Sequence, residues 1–104
     1  MGKVNMFKNQ VVWITGASSG FGDALALQFA HEGACLVVSA RRQDELEIVR
    51  GLCLAQGLVA ENVLVVPLDV TDHTAMPAAV QTVLDAFGSI DMLINNAGIS
   101  QRSK

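Results

Sequence analysis

Apolar residues along this chain come in two spacings. The first is a set of short continuous runs: Val11-Val12-Trp13-Ile14, Leu36-Val37-Val38, Val63-Leu64-Val65-Val66 and Met92-Leu93-Ile94. A run this short, bounded by turn residues, predicts a strand buried on both faces. The second spacing is helical and fills the stretches between the runs. Over residues 20–32, Phe21, Leu25, Ala26, Phe29 and Ala30 share one side of a helix, and Gly33 predicts its end. Asp44 is the expected cap of a second helix with the stripe Leu46, Val49, Leu52 and Cys53. A third helix is expected to start between Asp72 and Thr74. Its inward face is Ala75, Ala79, Val80, Val83, Leu84 and Phe87, and Gly88 closes it. Pro77 then falls in the first turn, where its missing N–H costs little.

The order β-α-β-α-β-α-β predicts an α/β, Rossmann-like, three-layer α-β-α fold. Right-handed crossovers then require a parallel sheet covered by helices. The expected strand order is 3-2-1-4, one half of a doubly wound sheet plus the first strand beyond the switch point.

Composition narrows the function classes. The chain has 104 residues, 51% of them hydrophobic, and a net charge of -3. That balance allows a core and argues against nucleic-acid or anionic-membrane partners. No stretch reaches the roughly 18 apolar residues of a membrane span, and residues 1–10 carry no apolar run of signal-peptide length. Met1-Gly2 hints at myristoylation, but Met6 stands where a Ser or Thr is wanted. Cys35, Cys53, His31 and His73 have no metal-ligand spacing, so no metal is expected and the cysteines read as free core thiols. A reduced, cytoplasmic setting is expected.

The candidate chemistry sits after the strands. Thr15-Gly16-Ala17-Ser18-Ser19-Gly20-Phe21-Gly22 joins the first strand to the first helix. Gly16 permits a sharp turn. Gly20 and Gly22 remove side chains where backbone approaches a pyrophosphate and where helix approaches sheet. The helix end adds N–H groups and a positive dipole, worth about 0.3–1 kcal/mol to an anion. Strand and helix on either side raise this above a plain tight turn, and no Lys-Ser/Thr follows to make a P-loop. Ser39-Ala40-Arg41-Arg42 ends the second strand. An acidic residue there would hold a ribose 2′-hydroxyl. Ala40 followed by two arginines instead suits a 2′-phosphate, with Arg41 as the main contact. The alternative is a solvated arginine pair. Asp69-Val70 follows the third strand, where the carboxylate can accept from an adenine amino group or cap a helix. Asn95-Asn96-Ala97-Gly98 follows the fourth. Asn95 can tie that strand to its neighbours, and Ala97 and Gly98 let backbone pass close to a ribose; a simple loop is the alternative.

Together these motifs resemble the short-chain dehydrogenase/reductase family. The glycine turn, Asp69-Val70, Gly88-Ser89-Ile90-Asp91 and Asn95-Asn96-Ala97-Gly98 carry the likeness, over about residues 11–103. Ser39-Ala40-Arg41-Arg42 resembles the NADP-preferring branch of the classical type. Residues 98–103 are similar to the dehydrogenase/reductase SDR members, which include retinol and steroid reductases. The resemblance implies NADP(H) in preference to NAD(H), held by Gly16, Ser18, Ser19, Gly20, Phe21, Gly22, Arg41, Arg42, Asp69, Val70, Asn96, Ala97 and Gly98. It also implies hydride transfer to or from a small-molecule carbonyl or alcohol. The family's catalytic Ser and Tyr-x-x-x-Lys lie later in the chain. This sequence has no tyrosine, and Ser100 stands four before Lys104. No catalytic residue is therefore assigned. Residues 1–104 are expected to be the N-terminal part of one NADP(H)-binding domain, without the catalytic part and inactive alone. Two alternatives are a non-catalytic dinucleotide-binding module and a fragment that self-associates through the exposed strand at Met92 to Asn95.

Overall fold

A computed structural model describes residues 8–18 and 20–96. Four strands and three α-helices alternate along the chain: β1 (Val11–Thr15), α1 (Gly20–His31), β2 (Cys35–Ser39), α2 (Gln43–Ala55), β3 (Val63–Val65), α3 (Met76–Phe87) and β4 (Met92–Asn95). A short 3-10 turn, Ala60–Asn62, leads into β3. All pairings in the sheet are parallel, and the strand order is β3-β2-β1-β4. The expected fold class and topology are both observed.

The sheet separates two cores, and the pleat decides which residue enters which. On one face Val12, Ile14, Leu36 and Val38 pack beneath α1 and α2, against Ala26, Phe29, Ala30, Leu46, Val49 and Cys53. On the other, Val11, Trp13 and Val37 pack with Val66, Leu68 and the α3 residues Ala79 and Val83. Every β1 residue is buried. Its apolar run is continuous because helices cover it on both sides. Each such side chain contributes about 1.5–3 kcal/mol when fully buried.

β4 differs from β1. Its residues alternate half-buried and exposed, and Leu93 is 53% exposed. Met92 and Ile94 pack on the α1–α2 side. Among the described residues β4 forms one edge of the sheet. Asp91 anchors its start: the Asp91 carboxylate accepts the Val11 N–H at 2.8 Å, and the Asp91 N–H donates to the Val11 carbonyl at 2.9 Å.

Several local expectations need correction. Phe21 does not join the core face of α1: it is 60% exposed, and Gly22 is buried in its place. Leu52 is exposed, whereas Leu46, Val49 and Cys53 are buried as expected. A stripe at i, i+3, i+6, i+7 spreads over more than the strip that α2 turns to the sheet. Asp44 is not the cap of α2. Arg42 holds that position without a side-chain cap bond, and Asp44 lies in the first turn. α3 starts at Met76, later than expected. Asp72 instead accepts the Thr74 N–H at 3.1 Å and the Thr74 hydroxyl at 2.6 Å, which holds residues 72–74 in a turn. Pro77 does fall in the first turn, and Gly88 closes α3 in the left-handed region at φ 81°.

Both cysteines are free. Cys53 lies wholly inside the α2 core, where burial pushes its thiol from 9.0 up to about 11. Burial favours the neutral form, so its contribution to stability is intact below pH 9 and fades as pH rises from 9.0 towards about 11. Urea melts at pH 8, 9.5 and 10.5 are expected to show this loss, and Cys53→Ala is expected to flatten it.

Candidate dinucleotide site

The site forms where the carboxyl ends of the strands meet the start of α1. Because β1 lies between β2 and β4, the chain leaves β1 at the point where the strand order reverses. Open α/β sheets offer a crevice at that point. Gly16 turns the backbone there with φ 68°, a left-handed value that side chains disfavour.

The turn is anchored from both neighbouring strands. On the β2 side, the Ala17 N–H donates to the Ser39 carbonyl at 3.0 Å. On the β4 side, Asn96 Nδ2 donates to the Gly16 carbonyl at 3.0 Å. Asn96 is 4% exposed and Gly16 is half-buried, so the bond is partly shielded from water. One residue earlier, Thr15 Oγ1 donates to Asn95 Oδ1 at 2.9 Å. The expectation that Asn95 ties the fourth strand to its neighbour is met. Asn96 makes the neighbouring tie, from β4 to the turn itself.

Gly20 and Gly22 do different work. A Cβ on Gly22 would overlap the Gly16 carbonyl oxygen and come within 2.8 Å of Asn96 Nδ2 and 2.9 Å of Ala17 Cα. Gly22 is therefore the contact that seats α1 on the turn. Apart from its chain neighbours and its own helix backbone, a Cβ on Gly20 would meet nothing within 4 Å among the described residues. Packing among the described residues does not require glycine there, and the space beside it is open. Ser18 is half-buried in the turn, and Phe21 stands exposed at the lip. Ser19, Ala97 and Gly98 lie outside the described residues.

The ends of β2 and β3 complete the site. The Ala40 carbonyl accepts the Leu68 N–H at 2.8 Å, which brings the chain entering Asp69 alongside the chain entering Arg41. The two arginines then diverge. Arg42 pairs with Asp44 at 3.4 Å and Glu45 at 3.5 Å, so its charge is directed at the start of α2. Arg41 is exposed and makes no salt bridge among the described residues. Asp69 accepts the Thr71 hydroxyl at 2.6 Å and the Thr71 N–H at 2.9 Å. Those two bonds, with a smaller pull from Arg41, hold the Asp69 carboxyl below its ordinary range. Asp69 thus turns its own loop and does not cap α3. Val70 beside it is half-buried against the α3 core.

One buried bond had no counterpart in the motif reading. Trp13 Nε1 donates to Ser39 Oγ at 2.8 Å, with Trp13 1% exposed and Ser39 0% exposed. The available signal was a tryptophan inside an apolar strand, whose indole N–H must find an acceptor. Among the described residues no group of His, Cys, Asp and Glu could hold a metal ion, and no helix is long and apolar enough to cross a membrane.

Comparison with known proteins agrees with this geometry. The family model described as short chain dehydrogenase matches residues 10–104. The chain belongs to the short-chain dehydrogenase family. Among curated relatives of that family, mouse dehydrogenase/reductase SDR family member 7 is 53% identical over 96 residues, 91% of this chain and 28% of its own length. Glucose dehydrogenase of Caenorhabditis elegans, solved in its apo form, superposes with a TM-score of 0.83 at 40% identity, over 88% of this chain and 38% of its own. A second C. elegans short-chain dehydrogenase/reductase, solved with cofactor, gives a TM-score of 0.79 at 37% identity, over 84% and 32%. The chain therefore spans about a third of the length of these short-chain dehydrogenases.

The contrast between the glycines of this short-chain dehydrogenase chain can be measured. Gly22→Ala is expected to lower Tm by at least about 5 °C, since forced overpacking costs ~1–3 kcal/mol in a domain of this size. Gly20→Ala is expected to leave Tm unchanged or raise it. Equal melting of the two variants would contradict the packing role of Gly22.

Proposed function

We propose that this chain is the NADP(H)-holding portion of a short-chain dehydrogenase/reductase. The whole enzyme would move a hydride between the cofactor's nicotinamide and a small-molecule carbonyl or alcohol. When bound, the cofactor supplies the redox chemistry; the residues present here bind and orient it. These 104 residues contain no tyrosine, and the proposal gives none of them the proton transfer.

Support begins with the cradle. The turn that begins at Gly16 leads into α1 at Gly20, so backbone N–H groups and the positive helix end would be offered to a pyrophosphate. The space beside Gly20 suits a ligand lying against bare backbone. Ser18 and Ser19 would add hydroxyl donors, and Phe21 an apolar wall. At the adenine end, Asp69 stays ionised and can accept from an exocyclic amino group, with Val70 beside it. Asn96 acts through Gly16, while Ala97 and Gly98 would let backbone approach the nicotinamide ribose.

The observation that carries the choice of NADP(H) over NAD(H) is the different engagement of the two arginines. Ala40 leaves no carboxylate to hold a ribose 2′-hydroxyl. Arg42 is engaged with Asp44 and Glu45, whereas Arg41 keeps its guanidinium clear of salt bridges among the described residues. A guanidinium so placed can meet a 2′-phosphate with two parallel bonds. The same proposal takes a cytoplasmic, reducing setting, supported by the two free cysteines.

Calorimetric titration of the 104-residue chain tests this reading. NADPH is expected to bind at least tenfold tighter than NADH. Arg41→Ala is expected to weaken NADPH by about ten- to a hundredfold, the value of a charged hydrogen bond or two, and to leave NADH within about twofold. Equal affinity for the two cofactors, or equal loss of both in Arg41→Ala, would contradict it.

A further inference from the structure

We infer that the buried Trp13–Ser39 hydrogen bond is a positioning device for 2′-phosphate selectivity. It acts by fixing the backbone from which Arg41 departs. The inference rests on the proposed role of Arg41.

Trp13 and Ser39 lie on adjacent strands, with Trp13 beside Val37 and Ser39 beside Thr15 in the parallel register. Trp13, Val37 and Ser39 share one side of the sheet by the period of the strand. The indole must therefore reach along the strand, past its own register partner, to the last residue of β2. It does so at 2.8 Å, with both side chains within 1% of full burial. An indole N–H at that depth cannot turn to water, and losing its acceptor leaves an unpaired donor in the core.

Ser39 is clamped by two bonds of different origin. Its hydroxyl takes the Trp13 N–H from below, and its carbonyl takes the Ala17 N–H from the glycine turn. At the next residue, the Ala40 carbonyl takes the Leu68 N–H from the β3 side. Arg41 is the first residue past these bonds and is itself exposed. Its long side chain has no salt bridge of its own among the described residues. What can be preset is thus the point and direction at which Arg41 leaves the sheet. Recognition of a phosphate by two parallel bonds tolerates only about 0.5 Å of displacement. The glycine turn has a second anchor in Asn96, so it keeps its seat when the Ser39 clamp loosens. A loosened clamp therefore acts on the 2′-phosphate more than on the rest of the nucleotide.

The test uses two small probes on the whole chain: adenosine 2′,5′-bisphosphate and adenosine 5′-monophosphate. Ser39→Ala removes the acceptor, and Trp13→Phe removes the donor while keeping the serine. Each is expected to cut the preference for the bisphosphate by about three- to tenfold, the value of one hydrogen bond. Affinity for the monophosphate is expected to stay within about twofold. The double variant is expected to lose no more preference than either single one, because the two residues act through one bond. Unchanged preference in both variants would overturn the inference and leave the Arg41 reading intact. A parallel loss of both probes, or failure of both variants to fold, would make the bond a core element only and overturn it too. A wild-type chain without preference for the bisphosphate would remove the Arg41 reading, and this inference with it.

Discussion

The structure turns on the absence of a side chain at Gly22. α1 can sit on the end of β1 only because its third residue presents bare backbone to the Gly16 carbonyl, Ala17 and Asn96. Three elements converge within that contact: the turn, the helix and the segment following β4. One added carbon would push α1 away from the turn. The positive end of the helix would then no longer face the crevice at the switch point. The helix is seated by close packing, and the same seating turns the positive end of its dipole to the crevice. The fold and the proposed function share this constraint.

Around that contact, bonds distant in sequence hold the rim in one shape. Asn96 to Gly16 and Thr15 to Asn95 each join residues 80 positions apart. Trp13 to Ser39 joins residues 26 apart. Each closes a loop that an unfolded chain leaves open, so these bonds form only once the strands have paired. The rim is therefore held by the sheet, with Phe21 and Arg41 exposed and Asp69 half-buried at its edge.

Much of this architecture could be read along the chain. Four apolar runs gave four strands, and the helical spacing between them gave three helices and the order 3-2-1-4. Pro77 and Gly88 marked the ends of α3 because each acts through its own backbone. Legibility failed where a residue's role depends on a partner far away. Phe21 matched the helical stripe, yet the seat of Gly22 against the turn rotates Phe21 out to the surface. Asp44 had the chemistry of a cap, but Arg42 draws it into a pair in the first turn. The family motif puts Asn96 among the cofactor-holding residues, but its bond to Gly16 exists only once the sheet is paired. The spacing of the glycines signalled a cradle without saying which of them the packing needs.

An amide chemical-shift map of the 15N-labelled chain titrated with NADPH tests the cradle most directly. The largest shifts are expected at Gly16, Ser18, Gly20, Phe21 and Arg41, with smaller ones at Asp69 and Val70. Residues of α3 below its first turn should stay still. Shifts concentrated on the exposed face of α2 or along β4, with the Gly16 to Gly22 turn silent, would contradict it.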